Sequence, residues 1–86
     1  MATLSASGTG STLTLTGTGY TGTSCDVALS FVKTGNTHRK LSLRRVPVSG
    51  GSISADLTVL DLGGIYTAKT INASGTVLAT SSGVAL

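Results

Sequence analysis

Cys25-Asp26-Val27-Ala28-Leu29-Ser30-Phe31 is the stretch on which the fold turns. Its larger apolar residues, Cys25, Val27, Leu29 and Phe31, fall at every second position, against Asp26, Ala28 and Ser30. Successive side chains of an extended chain point to opposite faces, so this period predicts a core-facing strand of about nine residues. The same rhythm repeats on both sides of it. Upstream, Thr12-Leu13-Thr14-Leu15-Thr16 sets two leucines on one face and three threonine hydroxyls on the other, and Gly17-Thr18-Gly19-Tyr20-Thr21-Gly22 ends that strand in a glycine-rich turn. Downstream, Ile53, Ala55, Leu57 and Val59 alternate with Ser54, Asp56 and Thr58. Further strands are expected over Ile65 to Ile71 and Thr76 to Thr80, the last resuming through Val84-Ala85-Leu86 after Ser81-Ser82-Gly83.

The segment from His38 to Val48 breaks the rhythm. Leu41, Leu43 and Arg45 share one phase with Arg39, while Arg44 and Val46 share the other. An edge strand with a bulge near Arg44-Arg45 would reconcile them, and Pro47 suits an edge or a strand end because it has no N–H to give a ladder. Strands spaced about ten to twelve residues apart, with turns between, are the pattern of an antiparallel sandwich or small barrel. The expectation is an all-β domain of six strands, or seven with a short one at Thr3 to Ala6. Residues 1–10 are expected as a flexible arm or a short first strand, and residues 11–86 as the sandwich domain.

Composition agrees. Thr (15), Ser (12) and Gly (12) fill 39 of 86 positions, charged residues make up 10%, and Glu and Gln are absent. Helices need straight-chain formers, whereas Thr, Val and Ser suit a pleated, half-buried surface. No run of apolar residues approaches a membrane-spanning helix, and the first residues carry neither a basic start nor an apolar stretch of the secretory kind. Cys25 is the only cysteine, so an intramolecular disulfide is excluded and a buried thiol is expected. A small core without staples gains from assembly into symmetric copies.

Two segments resemble bacterial and phage immunoglobulin-like domains. Leu13 to Tyr20 looks like their opening strand and glycine turn. Ser52-Ile53-Ser54-Ala55 to Leu60, Gly64-Ile65-Tyr66-Thr67-Ala68 and Asn72-Ala73-Ser74-Gly75-Thr76-Val77-Leu78-Ala79 are similar to their last three strands. The resemblance implies an immunoglobulin-like Greek-key sandwich, with Tyr66 in the tyrosine-corner place and Ala68 where antibody domains keep a cysteine. Leu13, Leu15, Leu29, Phe31 and Tyr66 are the expected fold-critical side chains. Small free-standing chains of this kind resemble phage virion accessories. That implies a non-enzymatic structural role on a capsid or tail surface, made in the host cytoplasm and held by the major capsid protein or another virion protein.

Catalytic chemistry finds little to work with. One His, one Cys and three Asp offer no triad and no evident carboxylate pair, and they cannot fill a zinc site. No cofactor, metal or catalytic residue is expected. The sharpest feature is charge: five of the six basic residues lie between Lys33 and Arg45, and no acid lies between Asp26 and Asp56. Lys33, Arg39, Lys40, Arg44 and Arg45 are therefore the candidate partner-binding residues. If they share a face, they could grip an acidic protein surface or, as alternatives, glycans or nucleic-acid phosphates. Exposed aromatics for stacking are scarce, with Phe31 and Tyr66 assigned to the core, which leaves only Tyr20 for that task.

Overall fold

The two-residue period becomes two facing antiparallel sheets. The computed structural model describes residues 2–86, and among them every regular element is a strand: β1 (Ser5–Thr9), β2 (Thr12–Thr18), β3 (Ser24–Lys33), β4 (Arg39–Pro47), β5 (Ser52–Thr58), β6 (Gly64–Ile71), β7 (Val77–Thr80) and β8 (Val84–Ala85). One sheet has the order β1-β2-β5; the other runs β4-β3-β6-β7, with β8 also paired to β6. β2 reaches past two intervening strands to pair with β5, from Thr12 opposite Thr58 to Thr18 opposite Ser52. The result is an antiparallel β-sandwich with a Greek-key crossover between its sheets, and it carries no disulfide.

The strand count is eight because the final strand is cut in two. β7 pairs with Lys69–Ile71 and β8 with Ile65–Tyr66, so both lie on the same edge of β6. Ser81 bridges the gap. Its N–H donates to the Ala68 carbonyl at 2.8 Å, and its hydroxyl accepts the Ala68 N–H at 3.0 Å. The Ser81-Ser82-Gly83 interruption thus leaves the backbone of β6 satisfied across the break.

Side chains from both inner faces fill the core. Leu13 and Leu15 of β2 and Ile53 of β5 meet Val27, Leu29 and Phe31 of β3 and Tyr66 and Ala68 of β6, all buried. Cys25 is buried at the end of the same row. The Phe31 and Tyr66 rings pack with centroids 4.6 Å apart and planes tilted by 43°, an arrangement that suits aromatic quadrupoles. The Tyr66 hydroxyl donates to the Asp61 carbonyl, which makes a tyrosine corner at the turn into β6.

Two expectations need correction. β4 is an edge strand, but it has no bulge: its pairing with β3 runs unbroken from Ser24 opposite Pro47 to Val32 opposite Arg39. The phase conflict is resolved by exposure instead. Leu41 and Leu43 face outward and are 70% and 63% exposed, while Val46 points into the core. Tyr20, in turn, is not a surface aromatic. It is 6% exposed, and its hydroxyl donates to the Thr3 carbonyl at 2.8 Å and shares a 3.0 Å hydrogen bond with the Thr70 hydroxyl of the opposite sheet. With Thr3 N–H bonded to the Thr18 carbonyl, the segment before β1 is pinned against the domain.

Candidate functional site

The unbroken register of β4 on β3 decides where each basic side chain goes. Lys40, Ser42, Arg44 and Val46 stand opposite Phe31, Leu29, Val27 and Cys25, so they lie on the inner face of their sheet. Arg39, Leu41, Leu43 and Arg45 stand opposite Val32, Ser30, Ala28 and Asp26 and lie on the outer face. Lys33 ends β3 beside Gly64. The five candidate residues therefore do not share one surface.

The two cations of the inner phase reach from the edge strand toward the facing sheet, through exposed contacts that add little stability. Lys40 Nζ lies 3.1 Å from Asp61 Oδ2, in the loop between β5 and β6. Arg44 Nη2 donates to the Thr58 carbonyl at 3.2 Å. Both side chains cross from the edge of one sheet to the end of the other, over a cleft of about 200 Å³ lined in part by Phe31, Ser42 and Tyr66. Asp61 thus meets Lys40 through its carboxylate while its carbonyl accepts from Tyr66. Burial pushes the Tyr66 phenol above its ordinary value of 10.0, and the nearby Asp61 charge adds to the rise.

On the outer face, Arg45 Nε bonds Asp26 Oδ1 at 3.0 Å, and this contact holds its guanidinium above its ordinary value. Asp26 is thereby spent on Arg45. Arg39 makes no ion pair among the described residues, and neither does Lys69 of β6. Lys69 falls outside the basic cluster in sequence, yet register places it in the same field: Leu43, Ala28 and Lys69 form one row across β4, β3 and β6. Between Arg39 and Lys69 lies a shallow depression of about 460 Å³, lined by both of them together with Ala28, Ser30, Leu41 and Thr67. Sequence reading missed Lys69 because only the β3–β6 pairing brings it there.

The remaining polar residues are dispersed. Cys25 and Val32 sit seven positions apart on β3, roughly 23 Å at the rise of an extended strand, and His38 precedes the Arg39 end of the sheet. A Cys25–His38 dyad is geometrically excluded. Burial also pushes the Cys25 thiol up, against thiolate chemistry. Each carboxylate has its own partner: Asp26 has Arg45, Asp56 accepts from the Thr14 hydroxyl at 2.7 Å, and Asp61 has Lys40. Among the described residues no three His, Cys, Asp or Glu side chains converge as a metal site would require.

Compared with known proteins, the chain matches no family model and no curated relative.

Proposed function

We propose that this chain is a non-enzymatic structural module that decorates a phage particle, on the capsid or the tail, by protein–protein contacts through the outer face of its β4-β3-β6 sheet. The observation that carries this reading is the pair Leu41 and Leu43, side by side in phase on an edge strand and largely exposed. Docking a partner here would take the apolar area of two leucines out of water and let the adjacent Arg39 make directional guanidinium contacts, both of which stabilise a complex. The phage assignment rests on the resemblance of Leu13 to Tyr20 and of the three strand segments between Ser52 and Ala79 to bacterial and phage immunoglobulin-like domains, and on this reading the protein sits on the virion surface after synthesis in the host cytoplasm. Its partner there is the major capsid protein or another virion protein, met in symmetric copies.

A carbohydrate-binding module and a nucleic-acid binder are less well supported by the same surface. Both rely on exposed aromatic platforms. Phe31, Tyr20 and Tyr66, the three aromatics of the chain, are all buried.

Density-gradient fractionation of the native source, with mass spectrometry tracking this 8.5 kDa chain, tests the reading. Co-migration with a large particle in fixed ratio to its shell protein is the expected result. A free chain at the top of the gradient, at low salt as well as high, overturns it and returns glycan and nucleic-acid binding to the front.

A further inference from the structure

We infer that the depression between Arg39 and Lys69 is a carboxylate-reading subsite, built to receive an aspartate or glutamate of a partner protein next to an aliphatic side chain. This rests on the reading of the chain as a protein-binding module.

The rows of the sheet define the subsite. Arg39, Val32 and Ile65 form one row; Leu41, Ser30 and Thr67 form the next; Leu43, Ala28 and Lys69 form the third. Arg39 and Lys69 therefore occupy diagonal corners, two strands apart and four residues along, roughly 16 Å between Cα positions at standard strand spacings. Both line the depression whose floor is Ala28, Ser30 and Thr67. Central strands often present large aliphatic or aromatic residues, which would fill this space. Ala28, Ser30 and Thr67 are shorter and leave it open, and two of them carry hydroxyls with no side-chain hydrogen bond to another described residue. Two cations and two hydroxyl donors thus surround one concavity.

Charge complementarity selects the occupant. The outer face carries a single acid, Asp26, already bonded to Arg45 in the next row, so Arg39 and Lys69 act on the depression uncompensated. A second copy of this chain brings more positive charge, the net being +3 with His neutral, and is disfavoured there. A carboxylate satisfies the guanidinium fork and the ammonium at once. Leu41 and Leu43, on the β4 side of the same three rows, offer the aliphatic neighbour its contact.

The test is an amide chemical-shift titration of the labelled protein with a blocked peptide alternating glutamate and leucine, and with its glutamine–leucine counterpart. The acidic peptide is expected to give saturable shifts centred on Ala28, Ser30, Leu41, Thr67 and Lys69, at concentrations up to about 10 mM. The double variant R39Q/K69Q should weaken it at least about tenfold, while K33Q leaves it within about twofold. Equal binding of the glutamine peptide, equal loss in K33Q, shifts confined to β4 alone, or no saturation each overturn the subsite. The particle experiment is scored separately. If wild-type protein co-migrates with particles and R39Q/K69Q does so equally well, the subsite fails and the decoration reading stands. If wild-type protein does not co-migrate, decoration fails, and the peptide titration still decides the subsite.

Discussion

The Tyr66 hydroxyl and the Asp61 carbonyl are joined by a 2.7 Å hydrogen bond that spans five residues and closes the turn into β6. Tyr66 is buried against Phe31, so its hydroxyl has few other partners, and the carbonyl it serves would lose its donor on truncation. Replacing Tyr66 with Phe keeps the ring packing and removes the bond. The expected cost is about 1–2 kcal/mol, a lost hydrogen bond plus an unpaired carbonyl. A domain of this size shifts its melting temperature by roughly 4–8 °C per kcal/mol, so thermal denaturation resolves the effect. A melt identical to wild type would mean that water replaces the tyrosine hydroxyl without penalty.

Alkaline pH should destabilise the domain, with the sign set by three buried acids. Burial raises Tyr20 and Tyr66 above 10.0 and Cys25 above 9.0. Each group holds its proton more tightly when folded than when unfolded. Their contribution is therefore complete below the ordinary values and is lost as pH rises through the raised folded ones. Urea midpoints should stay flat to about pH 9 and fall beyond it, and Y66F should flatten the fall. A midpoint that rises between about pH 9 and 11 would contradict this assignment.

Gly63 and Gly64 are adjacent but are required for different reasons. Gly63 has φ of 82° with open space around it, so alanine there strains only the backbone, at about 1–2 kcal/mol. A Cβ on Gly64 would lie 2.7 Å from the Cα of Lys33 and closer still to the Val32 carbonyl, both backbone. Those atoms belong to the central strand β3 and cannot give way cheaply. G64A is expected to cost about 3 kcal/mol or more and G63A distinctly less, read as chemical-denaturation midpoints. Equal midpoints would show that β3 and β6 can part locally without cost.

Leu41 and Leu43 should be nearly irrelevant to folding and central to docking. The double variant L41S/L43S removes exposed apolar surface from strand positions that serine tolerates, so stability should change by no more than about 0.5 kcal/mol. Retention on particles, measured by gradient fractionation, should drop at least about tenfold. Undiminished retention would move the contact to another face of the sandwich.

Much of the fold was legible because burial and exposure alternate cleanly in β2, β3 and β6. Leu13, Leu15, Val27, Leu29 and Phe31 could be placed in the core from period two, since the larger apolar residues of β2 and most of those of β3 share one phase; in β6, where Ile65 and Ile71 stand in the other phase, Tyr66 was placed only by its likeness to a tyrosine corner. β4 was harder. Its apolar residues Leu41 and Leu43 stand in the outward phase, and its inward phase is Lys40, Ser42 and Arg44, which inverts the usual rule at an open sandwich edge. Local pattern then invites a bulge, whereas pairing with β3 keeps the register. Tyr20 was misplaced because a glycine-rich turn suggests solvent; nothing local shows that its hydroxyl is met by Thr3 and Thr70. Lys69 joined the candidate site only through strand neighbours distant in sequence, the kind of relation that composition and spacing do not carry.

The pairing of β2 with β5 also governs the order in which the chain can become stable. Leu13 lies beside Leu57 and Leu15 beside Ala55, forty or more residues further on, while β1 and β2 make only a local hairpin across Gly10. As the chain emerges from a ribosome at about 5–20 residues per second, that hairpin waits for seconds with one edge unpaired and its leucines uncovered. The hairpin itself, β1 and β2, carries no charged side chain, so nothing on it repels a neighbouring copy in the meantime. Non-local closure of this kind is slow, in the millisecond-to-second range, even once the chain is complete. The early threonines, polar but uncharged, are then the feature that keeps this waiting segment in solution, and crowding during synthesis is where the protein is most exposed to self-association.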